Sequence, residues 1–262
     1  MPLPEHTSTP PPKPSPAPQQ ELPGFEHRTY ELEELLDAPC TYEEYRAAMR
    51  DMAQANRLTR GYAPQLAFLV RIIERCGVGH QPLRVLDLGC GHAEFLRVLL
   101  RWSKSHSIPL TLTGLDLHPY AQRLTLEENR RQQIATGSIL WQQADLLHDD
   151  TEADVLFCSL VAHHLPEEQV LLLLQRCATA KQGWMIADLR RSERAARLFD
   201  LMARLLRWHR FVRYDGAVSF RRAFSIEEWR TLVARAGVDA EVVDAGWGRI
   251  LIQSRRESAP RL

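Results

Sequence analysis

From Tyr42 to about Gly79, Tyr45, Met49, Met52, Leu58, Leu66, Leu69, Val70 and Ile73 recur three and four residues apart. That spacing predicts helices with one apolar face, and Pro64 marks a break between two of them. Beyond Gly79 short apolar runs alternate with longer amphipathic stretches. The runs at 83–88, 110–116, 138–143, 154–159, 183–189, 240–244 and 250–253 are expected strands. Helical patterns at 93–102, 119–133 and 166–177 lie among the first five. Pro119 and Pro166 suit a first helical turn, where the missing N–H costs nothing. Ser225-Ile226-Glu227-Glu228 is a capping box for a helix running to about Gly237.

Strand–helix alternation with apolar runs places the chain in the α/β class, with a mostly parallel seven-stranded sheet covered on both faces. The short connection at Gly246 makes the last two strands an antiparallel pair at one edge. Residues 1–23 hold nine of the 16 prolines and almost no large apolar side chain, so they are expected to form a disordered tail. Residues 24–79 are expected to be a helical cap, and 80–256 the main domain with a substrate-side insert at 190–224.

The chain has 262 residues, with 33 Lys+Arg against 33 Asp+Glu. That balance argues against a globally basic nucleic-acid binder. No stretch approaches the roughly 18 uncharged apolar residues of a membrane span, and the N-terminus lacks a signal-peptide layout. Cys40, Cys76, Cys90, Cys158 and Cys177 are scattered without a CxxC pair, which reads as reduced thiols in a cytoplasm and predicts no metal site. The zero is local in origin: ten arginines and three acids give +7 over 190–222, while 21–51 carries −6. The acidic N-terminal segment is therefore expected to cover part of a basic face.

The chemistry concentrates in Val85-Leu86-Asp87-Leu88-Gly89-Cys90-Gly91, where a buried strand ends in an acid followed by Gly-x-Gly and a helix. Glycines let the chain turn tightly and approach a ligand closely, and ligands in open α/β sheets sit at strand carboxyl ends. The dinucleotide fingerprint needs a third glycine where Glu94 stands, and no Gly-Lys-Ser/Thr is present. A glutamate there suits a cofactor with a cationic centre rather than a pyrophosphate. Asp116 ends the second strand, placed to accept from vicinal ribose hydroxyls. Asp145 ends the third, where it would meet an adenine amine.

This series, Val-Leu-Asp-Leu-Gly-Cys-Gly, Gly-Leu-Asp, Gln-Ala-Asp-Leu and Ser-Leu-Val-Ala-His-His-Leu, resembles the class I S-adenosyl-L-methionine-dependent methyltransferases across about residues 80–190. The resemblance implies a Rossmann-like seven-stranded mostly parallel sheet with an antiparallel edge strand. It implies that Asp87, Gly89, Cys90 and Gly91 line the methionine end of S-adenosylmethionine. Asp116 would hold the ribose with Leu117 against adenine, Asp145 and Leu146 would contact the adenine, and Ser159 would lie near the sulfonium. A weaker resemblance, in Asp188-Leu189-Arg190-Arg191-Ser192 and the insert that follows, is to bacterial small-molecule enzymes of secondary or quinone-type metabolism.

Methyl transfer needs the nucleophile held near the methyl group, and a base only when the acceptor is protonated. His163 and His164, after the fourth strand, are the candidates for that base. The expected acceptor is a small molecule, an oxygen of an aromatic, polyketide or quinone-like metabolite. An RNA or protein acceptor, and a non-catalytic cofactor-binding partner, are the alternatives. A helix over 192–208 is expected to bury Leu198, Leu201, Met202, Leu205 and Leu206 and to expose Arg194, Arg197, Arg204 and Arg207, which would meet an anionic acceptor. Asp215-Gly216, flanked by aromatic residues, is expected to form a turn whose Phe211, Tyr214 and Phe220 either lid the acceptor pocket or join the core.

Overall fold

The computed structural model describes residues 22–77 and 81–255. The expected proline-rich tail lies outside them apart from Leu22 and Pro23. Helix α1 (Tyr42–Leu58) opens on a capping box in which the Glu44 N–H donates to Thr41 Oγ1 and the Thr41 N–H donates to Glu44 Oε2. Such a cap is worth about 1 kcal/mol. Helix α2 (Ala63–Cys76) carries Pro64 in its first turn, so the expected break is a helix start.

Seven strands follow the expected runs: β1 (Leu83–Leu88), β2 (Leu110–Asp116), β3 (Leu140–Gln143), β4 (Val155–Ser159), β5 (Gly183–Leu189), β6 (Ala240–Gly246) and β7 (Arg249–Ser254). Their order is β3-β2-β1-β4-β5-β7-β6. The first five are parallel, and β7 runs antiparallel to both β5 and β6, placed between them near that edge. The order turns around between β1 and β4, the position that opens a crevice at the strands' carboxyl ends.

Alternate side chains feed two layers. Val85, Phe157 and Met185 pack with Phe68, Leu69 and Ile72 of α2 and with α3 (Glu94–His106). Leu86, Leu88, Leu156 and Ile186 pack on the other face with α5 (Glu167–Cys177) and α8 (Ile226–Ala236). Helix α4 (Ala121–Arg131) and α1 meet through Tyr42, Tyr45, Ala121 and Leu124. The other end of α1 packs on Ala203 of α6 (Glu193–Leu205), on Trp208 and on Phe211 and Val212 of α7 (Arg210–Arg222). Helix α1 therefore crosses the carboxyl end of the sheet, anchored on both sides.

Two expectations in the insert are corrected. Asp215-Gly216 lies inside α7 and forms no turn. The Asp215 carboxylate accepts the backbone N–H groups of Leu35 and Leu36, and a Cβ at Gly216 would fall 2.2 Å from Phe199. Tertiary contacts thus decide what the dipeptide alone would not. Phe211 and Phe220 belong to the core and Tyr214 is half-buried. Helix α6 packs through Ala196, Ala203, Phe199 and Met202, leaving Leu198, Leu201, Leu205 and Leu206 exposed.

The acidic segment does cover arginines of the insert. Glu44 accepts from Arg210 and Asp37 accepts from Arg222, each across more than 160 residues of chain. Residues 28–37 form a strap on α7: Arg28 Nε donates to the Arg222 carbonyl and the Thr29 N–H to that of Arg221. No helix among the described residues is long and apolar enough to cross a membrane.

Candidate active site at the carboxyl ends of the first and fourth strands

Asp87 sits on β1 between Gly114 of β2 and Phe157 of β4. It is buried, and its Oδ1 has no hydrogen-bond partner among the described residues. Burial, reinforced by the charge of Asp116, pushes its carboxyl up to about 8. Gly89 (φ 69°) and Gly91 (φ 52°) then turn the chain through the left-handed region into α3. A Cβ on Gly89 would fall 2.4 Å from Val161 Cγ2, so the turn after β4 fits against this glycine. Cys90 packs over Gly114, where a Cβ would fall 2.5 Å from its sulfur.

Asp116 closes the loop from the neighbouring strand. Its Oδ2 accepts the Gly91 N–H at 2.7 Å and its Oδ1 the His118 N–H at 2.8 Å. Burial raises its carboxyl against those two bonds. His118 stacks on Tyr45 of α1 at 4.0 Å between centroids, and the Met49 sulfur lies 4.0 Å from where a Gly91 Cβ would be. Trp141 of β3 donates from Nε1 to the Gly91 carbonyl at 3.1 Å. Leu117 beside Asp116 is exposed and Leu146 partly buried. Asp145 accepts from the Leu147 N–H and pairs with His148; the first of these bonds, with the histidine's help, holds its carboxyl low.

Ser159 ends β4, and its Oγ accepts from Gln65 Nε2 of α2 at 3.0 Å. Gln65 is buried and its Oε1 has no hydrogen-bond partner among the described residues. The next residue, Leu160, takes a left-handed φ of 58°, a conformation costing a non-glycine residue about 1–2 kcal/mol. Its N–H donates to the Ala187 carbonyl of β5, which anchors the turn.

That turn delivers His163 and His164 in a single 3₁₀ turn (Ala162–His164). His163 is buried, with Nδ1 2.6 Å from Asp188 Oδ1 of β5 and its backbone N–H on Asp188 Oδ2. Burial opposes the Asp188 charge, but His163 beside it holds the carboxyl below its ordinary value. His164 places Nδ1 3.2 Å from Asp37 Oδ2. Glu34, buried under the strap, faces both rings: its Oε1 is 3.7 Å from His163 Nε2 and its Oε2 3.8 Å from His164 Nε2.

Of the residues singled out from sequence, Asp87, Gly89, Cys90, Gly91 and Asp116 are brought into one loop system, and Val161 packs the Ser159 turn against it. Asp145, Leu117 and Leu146 flank it on the β3 side. His163 and His164 join a separate polar cluster under the strap. Gln65, Tyr45, Met49, Glu34, Asp37 and Asp188 went unassigned. Gln65 had a signal, since it occupies the 65-68-69-72 stripe whose other members are Phe68, Leu69 and Ile72. Asp188 is one more strand-end acid, whereas nothing in the acidic strap distinguishes Glu34.

A methyltransferase-domain family model matches residues 56–241, most of the chain. The chain belongs to that family. It is of the class I S-adenosylmethionine-dependent type, and S-adenosylmethionine is its cofactor. An O-methyltransferase family protein of Burkholderia thailandensis shares the fold at 18% identity and TM-score 0.53, covering 81% of this chain and 60% of its own. The chain thus spans about 60% of that protein's length. The plantazolicin methyltransferase BpumL, solved with a triazolic desmethylPZN analog and SAH, matches at 14% identity and TM-score 0.50, covering 80% of this chain and 95% of its own. Among proteins of curated function, none matches this chain in sequence.

The methyltransferase's own residues fit that cofactor. An ammonium group needs buried acceptors, and Asp87 Oδ1 and Gln65 Oε1 are two that lack a donor. A ribose diol needs acceptors, and Asp116 at the end of β2 is a carboxylate whose oxygens each take one backbone N–H and keep further lone pairs.

Proposed function

We propose that the protein transfers a methyl group from S-adenosylmethionine to an oxygen of a small aromatic, polyketide or quinone-like acceptor, in a reducing cytoplasm. The observation that carries this reading is the buried, donor-free Oδ1 of Asp87 just before the Gly-x-Gly turn, with Gln65 Oε1, also donor-free, on the side chain that donates to Ser159 at the end of the neighbouring β4. The cofactor supplies an electrophilic methyl on a sulfonium. Asp87 and Gln65 would fix its amino end, Gly89, Cys90 and Gly91 would line it, and Asp116 would hold the ribose. Leu117, Asp145 and Leu146 would meet the adenine, and Ser159 would stand near the sulfonium. The chain's part in the reaction is mainly orientation, which can remove much of the barrier of a displacement.

At the acceptor end, His163 or His164 would take a proton from a hydroxyl. An ionised carboxylate only accepts, so Asp188 and Asp37 fix the proton of each neutral ring on Nδ1 and leave Nε2 as the basic atom. The solved relative described as an O-methyltransferase family protein is in keeping with an oxygen acceptor. A polyanionic macromolecule is less well supported. A groove of about 520 Å³ between α6 and α7 holds Arg197, Arg204, Arg210, Arg213 and Arg221. Three of these already pair with Glu193, Asp200 and Glu44, and no Gly-x-Gly residue lines it.

Labelled S-adenosylmethionine incubated with the protein and cell extract tests the reading. Label in a small organic fraction is expected. Label confined to RNA or protein, or no calorimetric binding of the cofactor or its demethylated product, overturns it.

A further inference from the structure

The cluster under the strap does something the methyl-transfer reading does not require. Glu34 lies 129 residues before the His163-His164 pair in sequence, yet the ligating atoms of all three lie within 4.8 Å of one another. Each histidine is turned so that Nδ1 meets a carboxylate, Asp188 for His163 and Asp37 for His164. That is the arrangement by which proteins orient a metal-binding imidazole and raise the basicity of its other nitrogen. Both Nε2 atoms face the two oxygens of the one carboxylate between them.

The charge points the same way. Glu34, Asp37 and Asp188 lie around two guanidiniums, Arg28 and Arg222, a surplus of one carboxylate before either imidazole is protonated. Arg28 is committed to the carbonyls of Arg222, His163 and Leu165, and Arg222 to Asp37 and the carbonyls of His163 and His164. Arg222 reaches only to 4.0 Å from Glu34, whose single close side-chain donor among the described residues is Ser219 at 2.8 Å. A partly buried anionic surplus is costly unless something cationic meets it.

We propose that Glu34, His163 and His164 bind one divalent transition-metal ion through the carboxylate and the two Nε2 atoms. Two imidazoles and one carboxylate suit Zn²⁺, Co²⁺, Ni²⁺ or Fe²⁺, and not Mg²⁺ or Ca²⁺. Bonds of about 2.1 Å in a tetrahedral site put ligand atoms about 3.4 Å apart. The 3.7 and 3.8 Å separations from Glu34 need to close by a few tenths of an ångström, and the histidine ligand atoms, within 4.8 Å, by up to about 1.4 Å. His164 is the partly exposed member, with 29% of its side chain accessible, and marks the side on which a further ligand could enter. The ion ties the N-terminal strap to the turn after β4. While it is bound, the Nε2 lone pairs are occupied and neither ring acts as a free base; without it, the general-base role stands.

The test uses the full chain, stripped with chelator and dialysed against Zn²⁺. One zinc per chain is expected, with a raised melting temperature. Glu34→Gln, which keeps an oxygen for Ser219, and His164→Ala should each lose the ion. Asp37→Asn should weaken affinity about 10- to 100-fold, as loss of an orienting carboxylate does elsewhere. His106→Ala, at an exposed histidine of α3, should bind normally. Asp87→Asn should lose S-adenosylmethionine while keeping zinc, which separates this inference from the proposed reaction. No retained zinc in the wild type, or equal retention in Glu34→Gln and His164→Ala, overturns it. If those variants do not fold by circular dichroism, the wild type alone decides: Co²⁺ should give visible ligand-field bands and shift the Nε2 resonances of both histidines, and the absence of both effects overturns it.

Discussion

Gln65 Nε2 donates to Ser159 Oγ at 3.0 Å, which fixes the amide so that its Oε1 is buried without a donor. A buried acceptor left unpaired costs about 1–3 kcal/mol. Helix α2 carries that cost at the end of β4, where a cofactor ammonium would relieve it. Gln65→Leu should therefore leave the melting temperature of the cofactor-free protein unchanged or raised. It should weaken S-adenosylmethionine binding about 5- to 10-fold, or about 1–1.4 kcal/mol. Calorimetry beside a thermal melt checks both. A destabilised protein with normal affinity would make Gln65 a packing residue only.

The Asp87 carboxyl is expected to give a distinct pH signature. Its value near 8 in the folded chain stands well above the ordinary 3.8, because burial disfavours its charge and Asp116 adds repulsion. The folded state then binds more protons than the unfolded state between those values. Its contribution to stability is complete below about pH 4 and is lost as pH rises through about 8. Urea midpoints of the wild type should fall between pH 5 and 9 more steeply than those of Asp87→Asn. Parallel slopes would place the titration elsewhere.

The inner strands were legible because both of their faces are buried, so each reads as a short apolar run, whereas the edge strands β3 and β6 are largely exposed or half-buried. Asp87 and Asp116 were legible because an acid at or next to a strand's carboxyl end breaks that run, and Asp145, expected to end the third strand, lies two residues beyond it in the following turn. Glu34 was not, because its partners are 129 and more residues away and the strap around it is uniformly acidic. Asp215-Gly216 misled for a related reason. Its turn chemistry is local, whereas the Leu35 and Leu36 amides and the Phe199 ring that hold it helical arrive from distant segments. The leucines of α6 misled because helical period identifies a face but not which neighbour, if any, covers it.

Gly89 interlocks with Val161 in a way that separates steric from conformational demand. Gly89→Ala meets two obstacles, the 2.4 Å approach to Val161 Cγ2 and a φ of 69°. It should lose about 1–3 kcal/mol and reduce cofactor affinity at least tenfold. Val161→Ala in the same chain removes the methyl in the way and leaves the dihedral cost. Denaturant titration of both single variants and the double variant should therefore show positive coupling with incomplete rescue. Full additivity would mean that Val161 moves aside freely and the turn after β4 is not seated on this glycine.

The strap is held to α7 at Asp215, whose two oxygens accept the Leu35 N–H at 2.7 Å and the Leu36 N–H at 3.2 Å. A carboxylate receiving two backbone amides from one turn of chain fixes that turn's direction, and here it points the Glu34 side chain inward toward Ser219. Asp215→Ala should accordingly cost about 1–3 kcal/mol. It should speed hydrogen exchange at the Leu35 and Leu36 amides far more than at amides of β1 or β4, because local opening of the strap leaves the sheet intact. Asp215→Asn, retaining one acceptor oxygen, should fall between. Uniform acceleration across the sheet would instead make Asp215 a determinant of global stability, with the strap and α7 opening only as the whole fold does.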